Sequence, residues 1–213
     1  MYHYAGNNPV RYIDQDGREV FWVKGEGVSD EDFNRVQQEA EKLAASDTCA
    51  GQRFRYLSSE TEFDVTITVQ NNNKSEAKAV SLDDASNGIG SDCNVYIGLK
   101  QENKRTDGVK MSLGELLAHE VSGHAYEINK GRLHLTSSKS SAFIKESYLR
   151  CLDEQIAVAL QNEYRSYLGL TRQRKKYTGY QNTWYMPIYD SKSKTWSLKN
   201  QFTKEMESWR LLK

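Results

Sequence analysis

The sequence predicts an α+β fold: a small, twisted mixed sheet packed against two long helices. Three observations carry this reading. Strand-like segments cluster before residue 100, the longest helix-like segments lie between Ser112 and Leu168, and the two kinds do not alternate as in a doubly wound parallel sheet. Glu19-Val20-Phe21-Trp22-Val23, bounded by Gly25 and Gly27, reads as the first strand. Ser29 then precedes Phe33, Val36, Ala40, Leu43 and Ala44 at helical spacing, and Asp32 makes a capping pattern with it. Arg53 to Leu57 and Glu62 to Gln70 are predicted strands. The second alternates without a break, with Phe63, Val65, Ile67 and Val69 on one face and Asp64, Thr66 and Thr68 on the other. A loop at Asn71 to Lys74 and a polar, glycine-containing connection from Ala79 to Asp92 lead to another strand at Asn94 to Leu99.

Ser112 and Glu115 form a capping box that opens a helix running to about Lys130, with Gly131 in the position of a C′ glycine. A second helix is predicted from near Ser141 to about Leu168, before Gly169. Beyond Arg172 the chain turns basic and then aromatic. Trp184 to Tyr189 and Thr195 to Leu198 flank Asp190-Ser191-Lys192-Ser193-Lys194 as a hairpin, and Lys204 to Leu212 reads as a short helix.

The 213 residues suffice for one domain with a buried core. The 29 basic and 29 acidic residues cancel, which argues against nucleic-acid binding through bulk charge. Aromatic content of 11% argues for a folded chain although hydrophobic content is only 38%. No apolar run is long enough for a membrane span, and the first residues do not read as a signal peptide. Cys49, Cys93 and Cys151 are widely spaced, without a CxxC pair, and form no disulfide framework.

Residues 1–17 stand apart from the rest. Gly6-Asn7-Asn8-Pro9 and Asp14-Gln15-Asp16-Gly17 are turns between short aromatic stretches, giving an arm without a core of its own. Tyr4-Ala5-Gly6-Asn7-Asn8-Pro9-Val10-Arg11-Tyr12-Ile13-Asp14, with Asp16-Gly17, resembles the closing segment of the RHS/YD-repeat-associated core domain. The resemblance implies a variable effector carried behind that segment, delivered as the C-terminal part of a larger secreted protein, with a cognate immunity protein as partner. Gln15 stands where the family usually has proline, at the junction where some members cleave themselves. The effector domain would then run over residues 18–213, with an aromatic-rich extension from about residue 178.

The chemistry is concentrated in Leu116-Leu117-Ala118-His119-Glu120-Val121-Ser122-Gly123-His124-Ala125-Tyr126-Glu127. Two imidazoles flank a carboxylate on a predicted helix. The common zinc-protease spacing places the histidines four apart, on one helix face. Here the spacing is five, HExxxH, which on a regular α-helix turns the rings about 140° apart. A π-turn of one extra residue cures this, and Ser122-Gly123 is where the backbone accepts it most readily. The dipeptidyl peptidase III family has a similar HExxxH helix.

Zinc requires a third protein ligand and an open fourth position. Glu154, in Asp153-Glu154-Gln155-Ile156-Ala157 on the later helix, is the candidate, and small Ala157 lets the helices approach. Glu127, one turn after His124, is the rival. A ligand from another helix surrounds an ion better, which favours Glu154. Glu163 reads as a salt-bridge or supporting residue, and the run Arg172 to Lys176 as a solvated face.

The Glu154 segment is similar to the second motif of the gluzincin peptidases, and Asn162-Glu163, Arg165 and Leu168-Gly169-Leu170 extend a likeness to short effector metallopeptidases. The resemblance implies a zincin-like fold and a zinc metallopeptidase acting on protein or peptide, with His119, His124 and Glu154 holding Zn²⁺ and Glu120 as catalytic base. By analogy Tyr177 is a transition-state donor; His134 or an arginine is an alternative for the oxyanion. Asn94 to Leu99 is expected to be the edge strand on which an extended substrate pairs. Two other readings stay open: a binding module with a structural zinc, and a zinc amidase acting on cell wall.

Overall fold

The computed structural model describes residues 20–59, 62–106, 109–133, 143–174, 185–190, 195–200 and 206–209. The arm at residues 1–17, His134 and Tyr177 lie outside the described residues.

β1 (Val20–Lys24) leads through α1 (Asp30–Ala45) and α2 (Cys49–Ser59) to β2 (Val65–Gln70), and β3 (Glu76–Ala79), α3 (Leu82–Ser86) and β4 (Cys93–Gly98) follow. They form a mixed sheet in the order β1-β2-β4-β3. β1, β2 and β4 are parallel, with Val65 opposite Cys93 and Ile67 opposite Val95, while β3 runs antiparallel to β4. The alternation read in the sequence is what packs this sheet. Val65, Ile67, Val69, Val95 and Ile97 are fully buried on one face, each contributing about 1.5–3 kcal/mol. They share one core with Leu43, Phe54, Leu117, Val121 and Leu160 from the helices.

Two expectations are corrected here. Arg53 to Leu57 is not a strand but the middle of α2. Its apparent alternation hides a helical set, since Ala50, Gly51, Arg53, Phe54, Leu57 and Ser58 are the buried positions. The start of α2 is capped by Glu163, whose carboxylate accepts the N–H groups of Cys49 (2.8 Å) and Ala50 (3.1 Å) from 114 and 113 residues away. No local pattern reveals such a cap. The chain therefore crosses from β1 to β2 through a pair of helices, as a parallel pair requires. The second correction concerns the sheet edge. β4 is flanked on both sides by β2 and β3, so Asn94 to Leu99 is not an edge, and β1 and β3 end the sheet.

β5 (Arg105–Thr106) and β6 (Val109–Lys110) form a small hairpin ahead of α4 (Leu113–His119). The capping box opens α4 as expected: Glu115 N–H donates to Ser112 Oγ (3.3 Å), and Ser112 N–H to Glu115 Oε2 (3.0 Å). Glu115 also accepts from buried Arg165, which ties this end of α4 to the helix that follows. The helix continues through a π-turn at Glu120–Ala125 into α5 (Tyr126–Asn129). Gly131, at φ 67, closes it in a Schellman arrangement, with Arg132 N–H on the Glu127 carbonyl and Gly131 N–H on that of Ile128.

From Leu113 to Asn129 every residue but His124 is buried. α6 (Phe143–Tyr167) packs along this central helix and ends ahead of Gly169. The aromatic extension contributes the expected hairpin, β7 (Tyr185–Asp190) with β8 (Thr195–Asn200). The short helix expected at Lys204 to Leu212 is instead β9 (Met206–Trp209), antiparallel to β8. A third strand satisfies the open side of a hairpin that would otherwise be marginal.

Candidate metal centre

The π-turn is the structural fact on which the site depends. Tyr126 N–H reaches the Val121 carbonyl, five residues back, so the helix is one residue wider at this point. His119 and His124 consequently face the same way despite their spacing, with ring centroids 5.0 Å apart and planes at 78°. Glu154 on α6 points between them. Its Oε2 stands 3.4 Å from His119 Nε2 and 3.6 Å from His124 Nε2.

Those separations are informative. Donors about 2.0–2.1 Å from a shared tetrahedral ion stand about 3.3 Å from one another, close to what is seen here. Glu154 Oε2 is moreover buried and accepts no hydrogen bond among the described residues. Two imidazole nitrogens and one carboxylate oxygen, mutually within 4.8 Å, form a donor set that can hold a divalent cation.

No family model, curated protein or solved structure matches this chain. The reading of the site therefore stands on its own geometry.

Close helix packing makes the cluster possible. A Cβ on Gly123 would come within 2.7 Å of Ala157 Cβ and 2.9 Å of Ala157 Cα. Only glycine lets α6 approach the π-turn so closely, and that approach carries Glu154, one turn before Ala157, to the histidines. On the other side the turn is held by α2, where Ser122 Oγ donates to the Ala50 carbonyl (2.8 Å) and Arg53 Nη1 to the Ser122 carbonyl (3.2 Å).

The electrostatics of the cluster follow from burial. His119, 6% exposed, is pushed down to about 4 by burial, helped by the neighbouring His124 ring and Arg174 against the pull of Glu154. Burial also opposes the charged form of His124, but the Glu154 carboxylate outweighs it, with Glu120 and Asp153, and raises this ring to about 9. Burial works against the charge of Glu154 as well, yet the two imidazoles hold it well below the usual carboxylate range. Burial raises Glu120 to about 7; the charges of Glu154 and Glu76 act in the same direction, and His124 and Arg174 oppose them.

A pH dependence follows. With chelator present, His124 at about 9 dominates the titration between pH 7 and 9, and the upper part of the Glu120 titration at about 7 adds to it in the same direction. A raised folded value means the His124 contribution is complete below about 6.5 and is lost as pH rises through about 9. Stability by urea unfolding in EDTA is thus expected to fall between pH 7 and 9. A flat or rising profile would contradict the His124–Glu154 pairing.

The other sequence candidates go elsewhere. Glu127, the rival ligand, is committed to Arg53 Nη1 (2.8 Å) and Arg132 Nε (2.9 Å) and does not join the cluster. Glu163 caps α2. The basic run is not uniformly solvated: Arg172 is exposed, but Arg174 is buried. Arg174 donates to Gln161 Oε1 (2.7 Å), and its backbone N–H and carbonyl are both bonded to the Asn162 amide at 2.8 and 2.9 Å. Its charge lowers both His119 and Glu120. The sequence signal for it was slight, a single basic residue turned inward within a run of like charges.

A cavity of about 400 Å³ near the β5–β6 hairpin, lined by Met111, Glu115, Arg165 and Arg172 among others, shares no residue with the cluster. No helix among the described residues is long and apolar enough to cross a membrane.

Proposed function

We propose that this chain is a zinc-dependent metallopeptidase of zincin-like architecture, with His119, His124 and Glu154 as ligands and Glu120 as general base. The observation that carries the proposal is the convergence of three donors from two helices at separations suited to one tetrahedral ion. Three protein donors suit a catalytic zinc, which keeps a fourth position open, better than a closed structural site. When bound there, zinc supplies an acidified water and polarises the scissile carbonyl.

The chain's own residues supply the rest. Glu120, next to His119 and 7% exposed, takes the proton of the attacking water and returns it to the leaving amine. Burial raises it from the ordinary carboxylate range toward neutrality, which favours its acting in both transfers. His124, the one member of the central helix with partial exposure, lies where the site opens to solvent. β3 takes over the role expected of Asn94 to Leu99. It is the sheet edge packed against the π-turn, and an extended peptide adds there through main-chain hydrogen bonds.

The resemblance of residues 1–17 supports the wider reading. The domain is the effector tip of an RHS-type polymorphic toxin, delivered as the C-terminal part of a larger bacterial protein and neutralised by an immunity protein.

Zinc titration tests the centre. One equivalent is expected to bind the parent, and His119→Ala is expected to lose that binding. At pH 7–8 binding should also release about one proton, because the proton held by His124 must leave. Calorimetry in buffers of different ionisation enthalpy reads this directly. Equal zinc binding by parent and His119→Ala would reject the site. Zinc removal should abolish turnover while the domain stays folded; cooperative unfolding on chelation would instead assign a structural role.

A further inference from the structure

A π-turn is rare in a helix, and this one is held by its neighbours. α2 supplies the hold. Ala50 and Arg53, three residues apart and on one face, both grip Ser122: Ala50 through its carbonyl on the Ser122 hydroxyl, Arg53 through its guanidinium on the Ser122 carbonyl. Ser122 lies midway between Glu120 and His124 in the widened segment, and its own side chain is fully buried.

Arg53 is itself fixed on three sides. It is 4% exposed, its Nη1 meets Glu127 Oε1 at 2.8 Å, and its guanidinium lies 4.3 Å from the centre of the Tyr126 ring. Glu127 is held in turn by Arg132 at 2.9 Å. Tyr126 and Glu127 are the first residues after the turn, and Ser122 is inside it. One guanidinium therefore spans the widened segment from its middle to its exit, and fixes how far the chain rotates between the two histidines.

We propose that Arg53 is a positioning residue of the metal centre, which sets the convergence of His119 and His124 by clamping the Ser122 carbonyl against Glu127 and Tyr126. This rests on the metal-centre reading given above. The clamp touches neither the ion nor a ligand and acts only through the backbone of the turn. Both polar contacts leave one nitrogen, Nη1, while the guanidinium plane stands against the Tyr126 ring; the shorter lysine, with a compact ammonium and no plane, cannot keep all three contacts.

The test uses zinc and cobalt and needs no substrate. Zinc affinity is measured by competition with a chromophoric chelator, and the visible spectrum of the Co²⁺-loaded protein reports the coordination geometry. Arg53→Lys is expected to weaken zinc about 10–100-fold, the usual loss for a residue that orients ligands from outside the coordination sphere, and to alter the Co²⁺ bands. Should Arg53→Lys fail to fold, Arg53→Met combined with Glu127→Gln removes both charges of the buried pair, leaves the partly exposed Arg132 to solvent and gives the same reading. Glu127→Gln alone serves as its reference: its amide oxygen can still accept from Arg53, which stays on the Ser122 carbonyl, so it should lose less zinc affinity than the double variant. Tyr126→Leu gauges lost stability without loss of that hydrogen bond.

Folded Arg53 variants with parental zinc affinity and parental Co²⁺ bands would overturn the proposal. So would a Tyr126→Leu protein that loses as much affinity as they do, because the effect would then follow stability. A parent that binds no zinc would sink the metal-centre reading together with this one, whereas a zinc-binding parent matched by its Arg53 variants would sink this one alone.

Discussion

Glu120→Gln protein is expected to bind one equivalent of zinc as the parent does and to hydrolyse a protein substrate about 10²–10⁴-fold more slowly. The amide is nearly the size of the carboxylate and fits the same buried space, so the neighbouring His119 stays in place. What disappears is the group proposed to accept the water's proton. The parent's rate should fall as pH drops through the Glu120 value, which lies at or below about 7 because a bound cation would draw down the figure set by burial. That acid limb should be missing from the residual activity of the variant. A fully active Glu120→Gln protein would remove Glu120 from the mechanism, whatever the zinc content.

The second large effect is expected at a residue with no chemistry. Gly123→Val places branched carbon where one Cβ would already lie 2.7 Å from Ala157 Cβ. The clash is with a helix backbone and a methyl group, neither of which can swing away. Either α6 moves outward, withdrawing Glu154, or the turn collapses and separates the histidines. Stability should drop by about 1–3 kcal/mol, as for other overpacked cores. Zinc affinity should drop about tenfold or more, as when ligands lose their support. Gly123→Ala paired with Ala157→Gly should recover much of what Gly123→Ala alone loses. Absence of such recovery would show that the two helices do not meet through this pair.

The histidines, the carboxylate between them and the need for a wider turn were all legible in the sequence. Residue types and spacing state a metal site's chemistry directly, and a five-residue interval has few geometric remedies. Glu154 was legible for a related reason, as a carboxylate beside a small residue on a buried helix. What was hidden depends on partners distant in the chain. α2 looked like a strand because its cap, Glu163, comes from α6, and its buried positions are recognisable only once that helix is in place. Taking residues 53–57 as a strand also concealed the helical crossover that makes β1 and β2 parallel, and with it the interior place of β4. Arg53 read only as the start of a strand, and Arg174 as part of a solvated basic run. Their burial is decided by Glu127 and Gln161, and nothing near them in the sequence announces it.

The widened turn also limits how the chain can change. One residue added to a straight helix swings everything after it by about 100°. The π-turn absorbs that extra residue, so Tyr126 under Arg53, Glu127 between two arginines and the close at Gly131 keep the phase of an uninterrupted helix. Deleting Ser122 would restore the commoner interval between the histidines and keep these side chains in phase, but it would remove the hydroxyl and carbonyl that Ala50 and Arg53 hold. An insertion of this kind is thus kept in place by the helix packed against the turn, through residues that lie outside the donor cluster.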